Sequence, residues 1–80
     1  MTYVLNESGA MIRLKIKEIA EARGINQGQL SRRADVGYST IRRIFDDPYY
    51  SVNFTTLERI GKALNMPATE LLEEVPDDQR

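Results

Sequence analysis

Hydroxyl and guanidinium side chains are concentrated in residues 38–43 of this 80-residue chain. The segment contains Tyr38, Ser39 and Thr40, followed after one isoleucine by Arg42 and Arg43, and it has no acidic residue. Hydroxyl groups donate and accept hydrogen bonds, whereas a guanidinium group donates in a planar fork that matches phosphate oxygens or the major-groove edge of guanine. This combination is suited to a polyanionic ligand that presents hydrogen-bonding edges.

Apolar residues around this segment predict the two helices that position it. Leu30 and Ala34 are four residues apart, and Ile41, Ile44 and Phe45 follow the three-and-four spacing of a helix. We therefore predict two short helices between residues 27 and 46, the second over 38–46, with a tight turn around residue 36. The exposed face of the second helix then carries the hydroxyl and guanidinium groups, which is the layout of a helix-turn-helix DNA reader.

Such a pair cannot bury its apolar side chains alone, so flanking helices are expected. A helix is predicted over residues 13–23, with Gly24 closing it in the left-handed conformation. Asn26 and Gln29 have the spacing of a capping box at the start of the next helix.

Beyond the pair, Pro48 ends the second helix, because a proline biases the preceding residue away from helical conformation. Asn53 then caps a helix over residues 54–64, and Phe54 is predicted to face its core side. A short fifth helix is predicted from Pro67, with Leu71 and Leu72 inside it.

An ordered set of residues runs through these helices: Gln27, Leu30, Ala34, Val36, Ile41, Ile44 and the run LERIGKAL at residues 57–64. With that set, residues 12–73 resemble the Cro/C1-type (XRE) helix-turn-helix family of DNA-binding proteins. The resemblance implies an all-α fold, the compact five-helix arrangement of lambda-repressor-like domains.

By this resemblance the helix 38–46 enters the major groove, and Tyr38, Ser39 and Arg43 contact base edges. In the family, the residue at Gln27 contacts a phosphate at the N-terminus of its helix, where amides and the helix dipole favour anions. Tyr49 and Tyr50 have two interpretations, either phosphate contact through their hydroxyls or packing on the fourth helix or in a dimer interface. The full set of predicted phosphate contacts is Asn26, Gln27, Thr40, Arg42, Tyr49 and Tyr50.

The chain departs from the family pattern at four positions. Asp35 stands where relatives usually have a left-handed glycine, which costs about 1 kcal/mol. Gly37 stands at an N-cap usually held by serine or threonine, and Ser31 replaces an alanine at the helix crossing. Asp46 stands near a phosphate-contacting asparagine of phage repressors, where its carboxylate would be repelled. These departures weaken the motif without breaking it.

The charge distribution is strongly polarised although the net charge is only −1. Residues 11–45 contain eight basic and three acidic residues, for a charge of +5, whereas residues 46–80 contain three basic and eight acidic residues, for −5. A basic end on a nearly neutral domain is the electrostatic pattern expected of a nucleic-acid-binding face. Unrelated solvated faces that differ in charge would give the same counts.

Composition argues against several other classes. The chain has no cysteine and no histidine, so a disulfide framework or zinc site is not expected, and we predict neither a cofactor nor an enzyme. Its apolar runs are far below the roughly 20 residues needed to span a bilayer, and it has no signal-peptide pattern. We expect a cytoplasmic, nucleoid-associated protein encoded by a bacterium or phage.

One domain is expected, over residues 11–75. Residues 1–10, which include a possible short strand at residues 2–5, are predicted to form a flexible leader or else an arm that joins a dimer or reaches along DNA. Residues 76–80 form an acidic tail, and the frayed C-terminal segment is expected to begin near Glu73. Met66, Leu72 and Val75 are candidate dimer contacts, with burial in the core as the alternative.

Two functions fit these features. The first is a sequence-specific transcriptional regulator, a repressor that binds an inverted repeat in double-stranded DNA as a homodimer. The second is a protein-interaction module, such as an antitoxin-like or accessory partner, in which DNA binding is weak or lost. Arg42 and Arg43 favour the first, whereas Asp46, Asp47 and the uncharged loop after them favour a protein partner.

Overall fold

Four α-helices form the body of the protein in a computed structural model that describes residues 11–76. The helices α1 to α4 are followed by a single 3-10 helix, and a strand lies at each end of the described chain. None of the described helices has the length and apolar character needed to cross a bilayer. In chain order the elements are β1 (Met11–Leu14), α1 (Ile16–Ala22), α2 (Gln27–Ala34), α3 (Tyr38–Asp46), α4 (Phe54–Ala63), the 3-10 helix (Ala68–Leu71) and β2 (Leu72–Val75).

The predicted helix boundaries from residue 24 to residue 53 are confirmed. Gly24 follows α1 with φ 72°, the left-handed conformation that glycine adopts without steric cost. Asn26 and Gln29 form a reciprocal capping box at the start of α2. Asp47 is extended before Pro48, which ends α3, and the Asn53 side chain accepts a hydrogen bond from the Thr56 amide over 2.8 Å at the start of α4.

The predicted start of the first helix is wrong, because residues 11–14 form a strand. β1 pairs antiparallel with β2, with Met11 opposite Val75 and Leu14 opposite Leu72. The Leu14 amide also donates to the Pro48 carbonyl over 2.7 Å. These bonds come from segments distant in sequence, so the local apolar spacing could not reveal them.

The five-helix, all-α prediction is also corrected at the C-terminus. Only Ala68–Leu71 is helical there, as a 3-10 helix, and Leu72–Val75 belongs to β2. The segment that begins at Glu73 is therefore hydrogen-bonded in a sheet and is not frayed as far as Val75. The fold is mainly helical, with four α-helices and a two-stranded antiparallel sheet that joins the ends of the described chain.

The core lies where the four helices meet. Fully buried residues come from every helix and from the 3-10 helix, whereas none of the described polar or charged residues is buried. Phe54 was predicted to face the core, but it is 56% exposed at the first position of α4. The largest fully buried side chains within the core cluster are Ile16, Leu30, Ile41, Ile44, Ile60, Leu64 and Leu71.

The predictions for the N-terminal arm, residues 1–10, and for residues 77–80 of the acidic tail lie outside the described residues.

Candidate nucleic-acid interface

The turn between α2 and α3 is held by side chains from two helices. Asp35 occupies the left-handed conformation, with φ 56° and ψ 47°, as predicted from its place in the turn. The Ser31 hydroxyl donates to the Val36 carbonyl over 2.6 Å. From α4, Arg59 donates to the Asp35 carbonyl over 3.1 Å. The angle between α2 and α3 is therefore fixed by hydrogen bonds as well as by packing.

The roles of Ser31 and Arg59 in this turn were not foreseen. Ser31 was interpreted only as a small residue at the helix crossing, although a serine at the end of a helix commonly bonds to nearby backbone. No residue near Arg59 in the sequence indicated its role, because its partner Asp35 lies 24 residues earlier in the chain. Its guanidinium is occupied by the turn, which makes Arg59 a structural residue of the motif.

Helix α3 buries one face and exposes the other. Ile41, Ile44 and Phe45 are buried against the core. Tyr38, Ser39, Arg42 and Arg43 are exposed, whereas Thr40 is half-buried. Since residues four apart lie on the same side of a helix, Tyr38 with Arg42 and Ser39 with Arg43 form two adjacent rows on one face. The three predicted base-contacting residues thus share a surface with the phosphate-binding candidate Arg42.

The N-terminus of α2 presents a second set of polar groups. Gln27 is half-buried at the first helical position, as predicted. The Asn26 carboxamide oxygen accepts the Gln29 amide over 2.8 Å, and the Asn26 amide donates to the Gln29 side chain over 2.9 Å. Asn26 therefore caps α2. Only the NH₂ group of its side-chain amide remains to donate to a phosphate.

Arg32 joins this set, although the sequence analysis did not select it. Its Nη1 atom lies 3.5 Å from the position that a Cβ would take at Gly28, so the guanidinium lies back along α2 toward the helix N-terminus. A glycine four residues before an arginine leaves room for this, which is the feature that could have identified it. Arg32 places a positive charge near the amides that begin α2.

Tyr49 and Tyr50 follow α3 in the loop that leads to α4. Tyr50 packs against the core cluster, and its hydroxyl accepts a hydrogen bond from Arg43 Nη1 over 3.4 Å. Both tyrosines line a half-open apolar cleft of about 200 Å³ with Ile12 and Leu57. Intramolecular packing therefore describes the Tyr50 ring, and the Tyr50 hydroxyl bonds Arg43. For Tyr49 the two interpretations both stay open.

The two aspartates at the end of α3 have separate surroundings. Asp47 accepts a hydrogen bond from the Tyr49 amide over 3.0 Å and so stabilises the turn that follows the helix. Asp46 is exposed and lines a cleft together with Lys17 and Glu21 of α1. Asp46 thus borders a cleft between α1 and α3 that Lys17 also lines.

The charges on α2 and α3 are unbalanced in favour of the basic groups. Arg32, Arg33, Arg42 and Arg43 are all exposed, and none of them forms an ion pair with another described residue. The ion pairs that are present join Arg13 to Glu18 and, over 3.6 Å, to Glu73. The unpaired arginines give this face the positive potential that attracts phosphate.

One carboxyl of α1 has a shifted pKa. Partial burial raises the pKa of the Glu18 carboxyl, but the hydrogen bond from Arg13, the hydrogen bond from the Glu18 backbone amide and the charges of Arg13 and Lys17 together outweigh it and hold that pKa below its ordinary value. Glu18 therefore stays ionised at neutral pH and pairs with Arg13. The described residues contain no cluster of acidic side chains arranged to hold a metal ion.

Comparison with known proteins gives a match to a protein family. The family model of the Cro/C1-type helix-turn-helix DNA-binding domain matches residues 15–77, which include α1 to α4 and β2. No curated protein gives a significant match to the chain. The family match confirms the resemblance inferred from the ordered residues of α2 to α4.

Proposed function

Because the chain belongs to the Cro/C1-type helix-turn-helix DNA-binding family, we propose that it is a sequence-specific transcriptional regulator. It binds an inverted-repeat operator as a homodimer and represses transcription by occluding a promoter. Each protomer places α3 in the major groove, with the two half-sites about one helical turn (~34 Å) apart. The protein acts by binding alone and needs no cofactor.

The observation that carries this proposal is the exposed α3 face. Tyr38, Ser39 and Arg43 are exposed together, and no acidic side chain lies on their face before Asp46, which follows Arg42 by one turn at the end of the helix. Arg43 donates to O6 and N7 of a guanine, whereas Tyr38 packs on a thymine methyl and Ser39 bonds a base or a phosphate. Discrimination therefore depends mainly on Arg43, because the bidentate contact is the most specific of the three.

Phosphate contacts hold the helix in register. Gln27 and the Asn26 carboxamide bind one phosphate at the N-terminus of α2, with Arg32 nearby. Thr40 and Arg42 bind the backbone beside α3. Tyr50 contributes by supporting Arg43, and Tyr49 by fixing the turn. The phosphate contacts of Asn26, Gln27, Thr40 and Arg42 add affinity that does not depend on sequence.

The test is a selection of bound duplexes from a random DNA library, followed by salt titration of binding to the selected duplex. We expect a palindromic sequence and a steep decrease in affinity with salt, because each neutralised phosphate releases counterions. The double variant Arg42→Ala/Arg43→Ala should enrich no sequence. Arg80→Ala is a control, because it removes an arginine from the acidic end and should select the wild-type sequence.

If the wild-type protein enriches no sequence, the regulator proposal fails. The acidic C-terminal half, with its charge of −5 over residues 46–80, would then favour the interaction-module alternative. A basic protein partner would be the ligand to seek in that case, because it complements this charge.

A further inference from the structure

A half-open cleft lies between the two-stranded sheet and the loop that joins α3 to α4. Its volume is about 200 Å³, and its lining is apolar except for three hydroxyl groups. A concave apolar site with a few polar groups is the common form of a small-molecule site. The side chains that form its walls and floor include Ile12, Leu14 and Leu72 from the sheet, Tyr50 and Val52 from the loop, and Leu57 from α4.

Main-chain hydrogen bonds hold the two walls of this cleft together. The Leu14 amide donates to the Pro48 carbonyl over 2.7 Å, which joins β1 to the loop. On the sheet side, Leu14 pairs with Leu72 of β2. On the loop side, the Tyr50 amide donates to the Asp47 carbonyl over 3.0 Å. The cleft is therefore already formed without a ligand, so a ligand does not have to order its walls.

The size of the cleft limits what can occupy it. Leu14 and Leu57 are buried, whereas Ile12, Val52 and Leu72 are only half-buried, so the cleft retains apolar surface that a ligand can cover. An apolar cavity of about 150 Å³ holds one benzene ring. A helix, which is about 10 Å across with its side chains, is too large for this space. The volume therefore favours a small molecule over a segment of another protein.

The lining also indicates the chemistry of the ligand. None of the described residues that line the cleft is charged. A charged ligand would lose its hydration there without gaining an ionic partner, whereas an uncharged aromatic ring can pack against Tyr49 and Tyr50. Ser51 is the exposed member of the lining, and its hydroxyl can bond one polar substituent. The matching ligand is an uncharged single-ring aromatic molecule with one hydrogen-bonding group.

Tyr50 connects this cleft to the face that binds DNA. Its side chain lines the cleft, and its hydroxyl accepts a hydrogen bond from Arg43 Nη1 over 3.4 Å. The cleft therefore exists in the conformation in which Arg43 is supported, and a ligand that binds this conformation stabilises it. By linkage, the ligand and the operator then increase each other's affinity by the same factor.

We propose that this cleft binds an uncharged, single-ring aromatic effector, which raises the affinity of the protein for its operator. The binding site stands on the cleft alone, whereas the effect on the operator rests on the proposed function. DNA binding does not require the effector. The gain in operator affinity is about two- to fivefold, because it is limited by the strength of one exposed hydrogen bond.

The first experiment adds benzyl alcohol to the full chain without DNA and follows the methyl resonances of Leu57 and Leu72 by NMR. We expect saturable shifts with a dissociation constant of about 0.1–1 mM. Benzoate is the matched control, because it has the same ring but carries a negative charge. It should bind at least about tenfold more weakly.

Two variants fill the cleft in different places. Val52→Phe adds a ring on the loop side and Ile12→Phe adds one on the sheet side, so each should weaken binding of benzyl alcohol about tenfold or more. Two positions are used so that a fold defect at one does not decide the result, and the methyl spectrum without probe shows whether each variant is folded. Ile19→Phe adds the same ring at a half-buried position of α1 outside the cleft, and it should bind the probe as wild type does.

The second experiment measures operator affinity with and without saturating benzyl alcohol. The wild-type protein should gain about two- to fivefold in affinity. Tyr50→Phe keeps the ring that lines the cleft but lacks the hydroxyl that supports Arg43. It should bind the probe within about twofold of wild type and gain no operator affinity from it.

The proposal is wrong if wild type gives no saturable shift up to about 20 mM benzyl alcohol, if folded filling variants bind the probe as well as wild type, or if probe-bound wild type gains no operator affinity. Shifts of the same methyl groups with rising protein concentration, without probe, would assign the cleft to a second copy of the chain and would also overturn it. If no operator is selected while the probe still binds, the regulator function and the operator effect fail together, and the binding site stands.

Discussion

Arg43 donates a hydrogen bond from Nη1 to the hydroxyl of Tyr50 over 3.4 Å. Arg43 is exposed on α3, whereas the Tyr50 ring packs against the core after the helix has ended. The turn between them is closed by the Tyr50 amide, which donates to the Asp47 carbonyl over 3.0 Å. A long, exposed arginine side chain therefore has a support that is itself anchored to the core.

Arg43→Ala should lower affinity for the selected operator and relax the preference at one base pair, with a loss of about 1–3 kcal/mol in discrimination. Arg43→Lys is the matched control, because lysine keeps the charge but lacks the planar fork. It should retain most of the non-specific affinity and lose the discrimination. Equal losses on every sequence for Arg43→Ala would contradict the base-contacting role. Competition binding with operator variants that differ at single base pairs measures both the operator affinity and the discrimination.

Tyr50→Phe removes only the hydroxyl that supports Arg43. We expect a loss of operator affinity of no more than about 1 kcal/mol, because the hydrogen bond is exposed and its acceptor, the tyrosine hydroxyl, is uncharged. In an Arg43→Ala background the same change should have no further effect. The double-mutant cycle on operator affinity tests this coupling. If Tyr50→Phe costs the same in both backgrounds, its hydroxyl binds phosphate directly.

Arg42 and Gln27 should differ in how their loss changes the salt dependence of binding. Arg42→Ala removes a charge at the backbone, so the slope of log affinity against log salt should fall by about 1. Gln27→Ala removes a neutral hydrogen-bonding group and should weaken all sequences about equally without changing the slope. Titrations at several salt concentrations measure both slopes, with Arg80→Ala as the charge-matched control. A reduced slope for Gln27→Ala would contradict its proposed role.

Gly61→Ala should destabilise the fold. The new Cβ would lie 2.7 Å from the Met66 carbonyl oxygen and 3.3 Å from the Ala68 nitrogen, both backbone atoms that cannot move independently. Overpacking of this kind costs about 1–3 kcal/mol, which exceeds the gain of up to about 1 kcal/mol from replacing a helical glycine. Urea denaturation measures the change in the free energy of unfolding.

Gly28→Ala is the control for that experiment. At Gly28 the nearest atoms to a new Cβ are the ends of the Arg32 and Asn26 side chains, at 3.5 and 3.6 Å. Because alanine has a higher helix propensity than glycine, Gly28→Ala should leave the free energy of unfolding unchanged or increase it. If both substitutions stabilise the protein, the close approach at Gly61 is not restrictive.

The stability of the protein should decrease in acid partly through Glu18. Because the Arg13 hydrogen bond and charge hold the folded-state pKa of Glu18 below its ordinary value, ionised Glu18 favours the folded state at neutral pH. That contribution is present above the unfolded-state pKa and is lost as the pH falls through the folded-state pKa. An NMR titration of the Glu18 carboxyl should give a lowered pKa, which Arg13→Gln should raise. An unchanged pKa in Arg13→Gln would contradict this cause.

Local chemistry alone determined the start and end of most helices. Asn26, Gln29 and Asn53 satisfy helix amides within three residues, and Gly24 and Asp35 adopt left-handed conformations that a short stretch of sequence selects. The exposed face of α3 could be predicted from the spacing of its apolar residues, because the residues that are not on the buried face of a short helix are exposed. These interactions are complete within one or two turns, so their residues could be identified without the fold.

Only the tertiary structure decided the features that depend on distant partners. Residues 11–14 have the apolar spacing of a helix end, but they form β1 because residues 72–75 offer a complementary backbone edge. Arg59 reaches Asp35, and Phe54 is left on the surface, because of how α4 packs across α2. Such contacts depend on the relative placement of whole elements. Sequence periodicity shows which residues share a face but not what that face will meet.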